Sequence, residues 1–360
     1  MIQKVDRSDL KSDFDSWPEL ANDTWTVSKV ADIGRNFDSV LFVGMGGSGI
    51  IGALLCDYAK EMRSPLRFSC LNDYHLPSNL DGNTLVVGVS SSGGTEETLS
   101  ALSEAHSKGL QIASFGSGGL LKDFSDKWDS KFTLTRALKT PRSSLPGLLF
   151  ALLKFFSHNR LLPIEEAIVR ETIEVMMRAR EMSQGDELRN PALKIAKEII
   201  ASGTPPLIYS QSRTHSVGLR FRQSLNENSK MHAFNGDVPE ICHNDVVGWD
   251  SLTGLKGSKS KIDAIAIMLQ LEDDNEEIKT RFGILRDIVR KRGGKSFDSP
   301  HAGESYLSRT VSMLYLLDYT TYYAAILRGV DPIKTPSIDL LKRELNKRLN
   351  FVSRLEEQYL

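Results

Sequence analysis

Apolar positions along the chain fall into two recurring patterns. Runs such as "SVLFVGM" from Ser39 and "TLVVGVS" from Thr84 are short, continuous and rich in β-branched residues, which predicts buried strands. Stretches such as "SGIIGALLCDYAK" and "TEETLSALSEAHSKG" are longer and read as helices. In the second, Thr95 is placed to cap, acids fill the first turn and Gly109 follows as a stop. "LRFSCLN", "QIASFGS" and "KFTLT" add short strands, and "LPGLLFALLKFFSH" a mostly apolar helix. An amphipathic helix is expected over 161–185 as a connector. The alternation then begins again. Asn190 can cap a helix with Pro191 at its first position. "PLIYS" and "KSFDS" read as strands, and "KIDAIAIMLQLED" as a long one. "SVGLRFRQSLNENS", "NEEIKTRFGILRDIVRKRGG" with Gly293 as its stop, and "ESYLSRTVSMLYLLDYTTYYAAILRG" read as helices.

Strands and helices alternating at this length predict an α/β chain: two doubly wound, flavodoxin-like parallel sheets in tandem, then a helical C-terminus. The expected division is an N-terminal extension over 1–34, a first domain over 35–158, a helical connector over 159–187, a second domain over 188–330 and a helical segment over 331–360. A length of 360 residues suits two domains, and 40% hydrophobic with 25% charged residues is ordinary for a globular protein.

Charge narrows the partners. A formal net charge of −1 gives no footprint for nucleic acid or an anionic membrane, so a bound phosphate must be held locally. The N-terminal "MIQKVDRSDLKSDFDSWPEL" lacks the apolar core of a signal peptide, and no apolar stretch is long enough to span a bilayer. Cys56, Cys70 and Cys242 are odd in number and widely spaced. That argues against a disulfide framework or a cysteine zinc site, and fits a reducing cytoplasm.

Two loops carry candidate chemistry. The first strand ends in "GMGGSG", where Gly44, Gly46 and Gly49 satisfy a dinucleotide fingerprint. A later strand ends in "SSSGGT", which a dinucleotide fold does not need. Gly47, Ser48, Ser90, Ser92 and Thr95, together with N–H groups at a helix start, would make a cup for one phosphate monoester. Open α/β sheets bind ligands at this carboxyl edge.

A strand, a glycine-rich loop with serine, then a strand ending in Ser-x-Ser-Gly-x-Thr resembles a sugar isomerase (SIS) domain. The usual loop has Asn where this chain has Gly94. "LRFRQSLNENSKMHAF", "VPEICHNDVVGW" and "YYAAILRGVDP" together resemble the archaeal-type bifunctional phosphoglucose/phosphomannose isomerase family, from about residue 35 to about 345. The resemblance implies two SIS domains and interconversion of glucose 6-phosphate and mannose 6-phosphate with fructose 6-phosphate.

Aldose–ketose isomerisation moves a proton between C2 and C1 of the open sugar. It needs a carboxylate, an imidazole for ring opening, a cation for the enediolate and a phosphate grip. By resemblance Glu227 is the catalytic carboxylate, and His243 is the ring-opening histidine, donated by the other subunit of a homodimer. Arg142 matches the arginine beside the enediolate, Lys342 the lysine near the ring oxygen or O1, and Thr335 a position that leaves room for both C2 epimers. Glu240 and Asn244 are expected to hold the loop, and His232 has no role.

A metal is the other reading of the segment from Ser224 to Asp245, with Glu227, His232, Asp237, Glu240, His243 and Asp245 as possible ligands. The usual ligand spacings are missing, so no metal and no cofactor are expected. Three rival functions stand beside isomerisation. One is a phosphosugar-sensing regulator, although no basic helix-turn-helix precedes residue 35. The second is an NAD enzyme using Asp73 for the ribose, and the third an isomerase of another phosphosugar such as glucosamine 6-phosphate.

Overall fold

Five strands lie in one parallel sheet: β1 (Ser39–Val43), β2 (Arg67–Leu71), β3 (Thr84–Ser90), β4 (Gln111–Gly116) and β5 (Lys131–Leu134), in the order β2-β1-β3-β4-β5. This computed structural model describes residues 2–34, 36–185, 187–250 and 264–359. The winding reverses between β1 and β3, as in flavodoxin-like sheets. Side chains alternate across β1 because successive residues of a strand face opposite sides. Phe42 meets Phe156 of helix Leu145–His158 at 5.6 Å between ring centroids. Gly52 of helix Gly46–Glu61 lies on the same face, so close that an added Cβ would come within 2.6 Å of Phe42 Cβ. On the other face Leu41, Val43 and Val86 pack with Leu99 and Leu102 of helix Glu96–Ser107 and Phe124 of helix Leu120–Lys127. Helices therefore cover both faces.

This sheet belongs to a unit made of Ser12–Ala167 and Lys334–Leu360. Two further pieces of the chain contribute to its packing. Helix Trp17–Val27 buries Trp17, Leu20 and Ala21. Helix Phe351–Tyr359 sends Leu355 into the core beside helix Glu96–Ser107, and Phe351 meets Tyr74 edge-on.

The second unit, Met1–Lys11 with Ile168–Ile333, holds a parallel sheet of β6 (Leu207–Gln211), β7 (Phe234–Val238), β8 (Ile265–Met268) and β9 (Lys295–Asp298). Its order is β7-β6-β8-β9, with the same reversal between β6 and β8. Tyr209, Val238, Trp249, Met268, Phe282 and Val289 form one apolar cluster in it. Asn190 and Asn275 cap their helices as side-chain acceptors, from Leu193 N and Ile278 N, each at 2.9 Å.

Three expectations need correction. The long strand over 261–273 is only Ile265–Met268 among the described residues, because a turn held by Leu271 N donating to Asp274 Oδ2 ends it. Residues 261–263 of that expectation lie outside the described residues. β7 falls in a segment read as loop. Thr95 does occupy the N-cap position, but its side chain makes no cap bond and hydrogen-bonds Ser90 instead.

Helix Tyr306–Arg328 organises the second unit, with nearly every residue from Tyr306 to Ile326 buried. Helix His215–Ser229 is tied to it by an internal ion pair. Arg220, 2% exposed, donates Nη2 to Asp318 Oδ2 at 2.9 Å, and Ser224 Oγ donates to Asp318 Oδ1 at 2.6 Å. No helix among the described residues is long and apolar enough to cross a membrane.

Candidate active site

The two hydroxyl-bearing loops meet where the first sheet reverses. Ser48 is the third residue of helix Gly46–Glu61, in its first turn, and is buried. Its Oγ accepts from the Ser91 N–H at 3.2 Å, which joins the β1 and β3 loops directly. Ser90 Oγ lies 2.9 Å from Thr95 Oγ1 and accepts from Gly93 N at 3.1 Å. Ser92 is exposed at the loop tip, 3.4 Å from the Gly94 N–H. Gly47 is half-buried in the same first turn as Ser48.

Glycine is required here for close approach. A Cβ on Gly49 would lie 2.7 Å from Gly44 O, and one on Gly93, at φ +71°, would lie 1.8 Å from Gly118 O. A Cβ on Gly94 meets nothing within 4 Å, so this position has room for a side chain. Met45 is the one apolar side chain in this pair of loops, Glu96 and Glu97 follow in the first turn of helix Glu96–Ser107, and Ser48, Ser90, Ser91, Ser92 and Thr95 offer neutral hydroxyls. Such groups, with helix N–H dipoles, suit an anion without adding net charge.

Sequence reasoning missed the residues that brace these loops. Asn72 Nδ2 donates to Gly44 O at 2.6 Å, and Ser117 Oγ donates to Ser91 O at 2.6 Å. Both lie beyond neighbouring strands, β2 and β4, so nothing local in the sequence marks them.

Arg142 is buried in the turn before helix Leu145–His158. The turn is held from a distant part of the chain. Asp13 accepts from Lys139 N at 2.9 Å and from Ser143 Oγ at 2.7 Å, and Trp17 Nε1 donates to Ser143 O at 2.8 Å. A role for the N-terminal residues follows that their polar character did not suggest: they buttress the Arg142 turn. In the same unit Thr335 is half-buried at the N-cap of helix Pro336–Leu349, and Lys342 is exposed two turns further along.

Glu227 and His243 lie in the second unit. Glu227 is half-buried in the last turn of helix His215–Ser229. That helix end is pinned: Asn228 Nδ2 donates to Thr321 Oγ1, Ser229 Oγ to Thr321 O, and Lys230 Nζ to the carbonyls of Glu227, Asn228 and Asp331. The ammonium of Lys230 thus closes the helix C-terminus, where cations are favoured. His243 ends the short 3₁₀ helix Glu240–His243 beyond β7 and is exposed. Asn244 Nδ2 donates to Glu240 Oε1 at 2.8 Å, so these two residues do hold the loop. Asp237 is taken up by Ser210 Oγ and His215 Nδ1, each at 2.5 Å. Among the described residues no three His, Cys, Asp or Glu side chains group as metal ligands.

The second sheet's reversal point is built differently. Arg213, from the loop after β6, pairs with Asp273 at 3.0 Å and Asp274 at 2.9 Å, and Arg309 pairs with Asp273 at 2.7 Å. Burial raises the Asp273 carboxyl, but hydrogen bonds and charge from Arg213 and Arg309 outweigh it and hold the group below its usual range. For the more buried Asp274, burial wins and the pKa is raised.

A flavodoxin-like sheet with hydroxyl-bearing loops at its reversal point is suited to binding an anionic ligand at that edge. Residues 188–345 match the bacterial phospho-glucose isomerase C-terminal SIS domain. The chain is 31% identical over 331 residues to a bifunctional phosphoglucose/phosphomannose isomerase of Caldicellulosiruptor bescii, covering 89% of this chain and 95% of that one. It is 32% identical over 311 residues to the enzyme of that name from Thermoplasma acidophilum, covering 86% and 90%. The chain belongs to the bifunctional phosphoglucose/phosphomannose isomerase family. A hypothetical protein of Thermus thermophilus shares the fold at a TM-score of 0.68 and 15% identity, over 97% of this chain and 89% of that one.

Proposed function

We propose that the protein is a cytoplasmic aldose–ketose isomerase converting glucose 6-phosphate and mannose 6-phosphate to fructose 6-phosphate. The hydroxyl cup joined by the Ser48–Ser91 bond carries this reading, because it offers a phosphate monoester neutral donors at a helix start. Ser48, Ser90, Ser92, Thr95 and the Gly47 N–H grip the phosphate. Glu227 takes the C2 proton and returns it to C1 through a cis-enediol. The two sugars differ only at C2, which is planar in the enediol, so one intermediate serves both. Arg142 stabilises the enediolate electrostatically. His243 moves the proton of ring opening, Lys342 contacts the ring oxygen or O1, and Thr335 leaves space for rotation about C2–C3. The primary test offers each sugar phosphate separately, with EDTA present, and follows fructose 6-phosphate. Formation from neither sugar sinks the proposal.

The phosphate grip has its own test. Ser92→Ala is expected to raise KM for both sugars with little change in kcat. A hydrogen bond to a charged acceptor is worth about 1.5–3 kcal/mol, which is about 10- to 150-fold. Inorganic phosphate should compete. Free glucose isomerised as efficiently as its 6-phosphate would remove the cup from the mechanism.

The reading includes a homodimer in which His243 serves the other subunit's site. Its exposure on a 3₁₀ turn supports this. So does helix Pro336–Leu349, which buries no residue and exposes Ile338, Leu340 and Leu341. Refolding a mixture of Glu227→Gln and His243→Ala chains should restore about a quarter of wild-type activity, since random association gives mixed dimers with one intact site. A mixture as inactive as its parents, with subunit exchange confirmed by size-exclusion chromatography, places both residues in one chain's site.

A further inference from the structure

Two of the three cysteines, fourteen residues apart in sequence, touch in the fold. Cys56 Sγ lies 3.4 Å from Cys70 Sγ, and both are free thiols. The contact is built by packing around it. Cys70 sits on β2, the edge strand, with its Cα paired to Phe42 of β1. Gly52 lets helix Gly46–Glu61 approach that face closely: a Cβ there would lie 3.3 Å from Cys70 Sγ. Cys56 is one helical turn further along the same helix face, which sets it over Cys70. Cys70 is exposed and Cys56 half-buried behind it.

We propose that Cys56 and Cys70 are a redox modification site, closed by peroxides into a reversible intramolecular disulfide. The exposed Cys70 thiolate attacks a peroxide oxygen. The O–O bond breaks, the sulfur becomes a sulfenic acid, and hydroxide (or the alkoxide of an organic peroxide) leaves. The Cys56 sulfur then attacks Cys70 Sγ. The S–S bond forms, the S–O bond breaks, and the departing hydroxide takes the Cys56 proton and leaves as water. Two thiols are oxidised by one peroxide, and a dithiol reductant reverses the change. The hydrogen bond with Cys70 and burial both raise the Cys56 pKa, which keeps Cys56 a thiol while Cys70 reacts first. Transient, sensing disulfides are the kind a reducing compartment permits.

The bond would join the edge strand to the helix whose first turn holds Gly47 and Ser48. Asn72, two residues past Cys70, already holds Gly44 O at the root of that loop. Closure therefore fixes a segment that braces the phosphate cup.

The test treats reduced full-length protein with hydrogen peroxide, denatures it, and counts thiols. Three free thiols are expected to fall to one, Cys242. Peptide mapping should find Cys56 linked to Cys70, and dithiothreitol should restore all three. The melting temperature of the oxidised protein should rise by roughly 5 °C, from loop closure in the unfolded chain, and not in Cys56→Ser. Recovery of Cys56 as a free thiol beside Cys70 sulfinic acid, or bridges only between chains, overturns the proposal. A linked protein that melts below the reduced one overturns its bracing part.

Discussion

Replacing Glu227 by Gln is expected to lower kcat on both sugar phosphates by about 10²–10⁴-fold, the usual contribution of a positioned general base. The loss should exceed this range if the same carboxylate makes both proton transfers. KM should change little, since the phosphate grip lies elsewhere. The amide keeps the shape of the carboxylate, and the helix end around it is fixed by Asn228, Ser229 and Lys230. Deuterium at C2 of the substrate should wash into solvent during turnover by the unaltered enzyme. A variant that retains near-normal kcat rules Glu227 out as the proton carrier, whatever the status of the phosphate cup.

The largest expected loss of stability follows from Asp318→Ala. Asp318 and Arg220 are 1% and 2% exposed, and the guanidinium reaches Asp318 through Nε and Nη2. Removing the carboxylate takes the counter-ion from a buried guanidinium and the acceptor from the Ser224 hydroxyl. Breaking a buried pair by removing one partner costs about 3–5 kcal/mol, much more than the pair itself contributes. Urea unfolding should show the shift. Replacing Arg220, Ser224 and Asp318 together by Met, Ala and Leu should recover most of it, because no buried charge is then left behind. A single-variant loss below about 1 kcal/mol would mean that water reaches Arg220 and that the pair is not sealed.

The legible parts of the fold were those where local pattern and packing agree. β1 and β3 are buried along most or all of their length, and both read as apolar runs. Asn190 behaves as the cap expected of it because it stands before a strong helical period. β7 was not legible. Its central residues Asn235, Gly236 and Asp237 are not apolar, Phe234 is 60% exposed, and only Val238 is buried in the apolar cluster. The strand is stabilised by cross-strand partners, with Asn235 reaching Ser210 Oγ and Asp237 held by Ser210 and His215. Such bonds leave no periodicity behind. The same holds at the candidate site. The hydroxyls of the cup announce themselves in "SSSGGT", whereas Asp13, Trp17, Asn72 and Ser117 act on the loops from elsewhere in the chain. Thr95 stood at the right place for the wrong partner, since a cap and a neighbouring serine compete for one hydroxyl.

The two sheets have the same winding but unequal edges. In the first, the reversal point presents hydroxyls and N–H groups. In the second, Asp273 and Asp274 lie against Arg213 and Arg309, so the carboxylates stand where an incoming anion would have to bind those cations. The charge of those cations is matched there by the protein's own carboxylates. On the proposed function a chain with two similar halves is therefore expected to bind one phosphosugar at saturation, not two, which a calorimetric titration would check. On that proposal the half that does not hold phosphate is the half that supplies the proton-moving groups, and the repeated scaffold divides the labour.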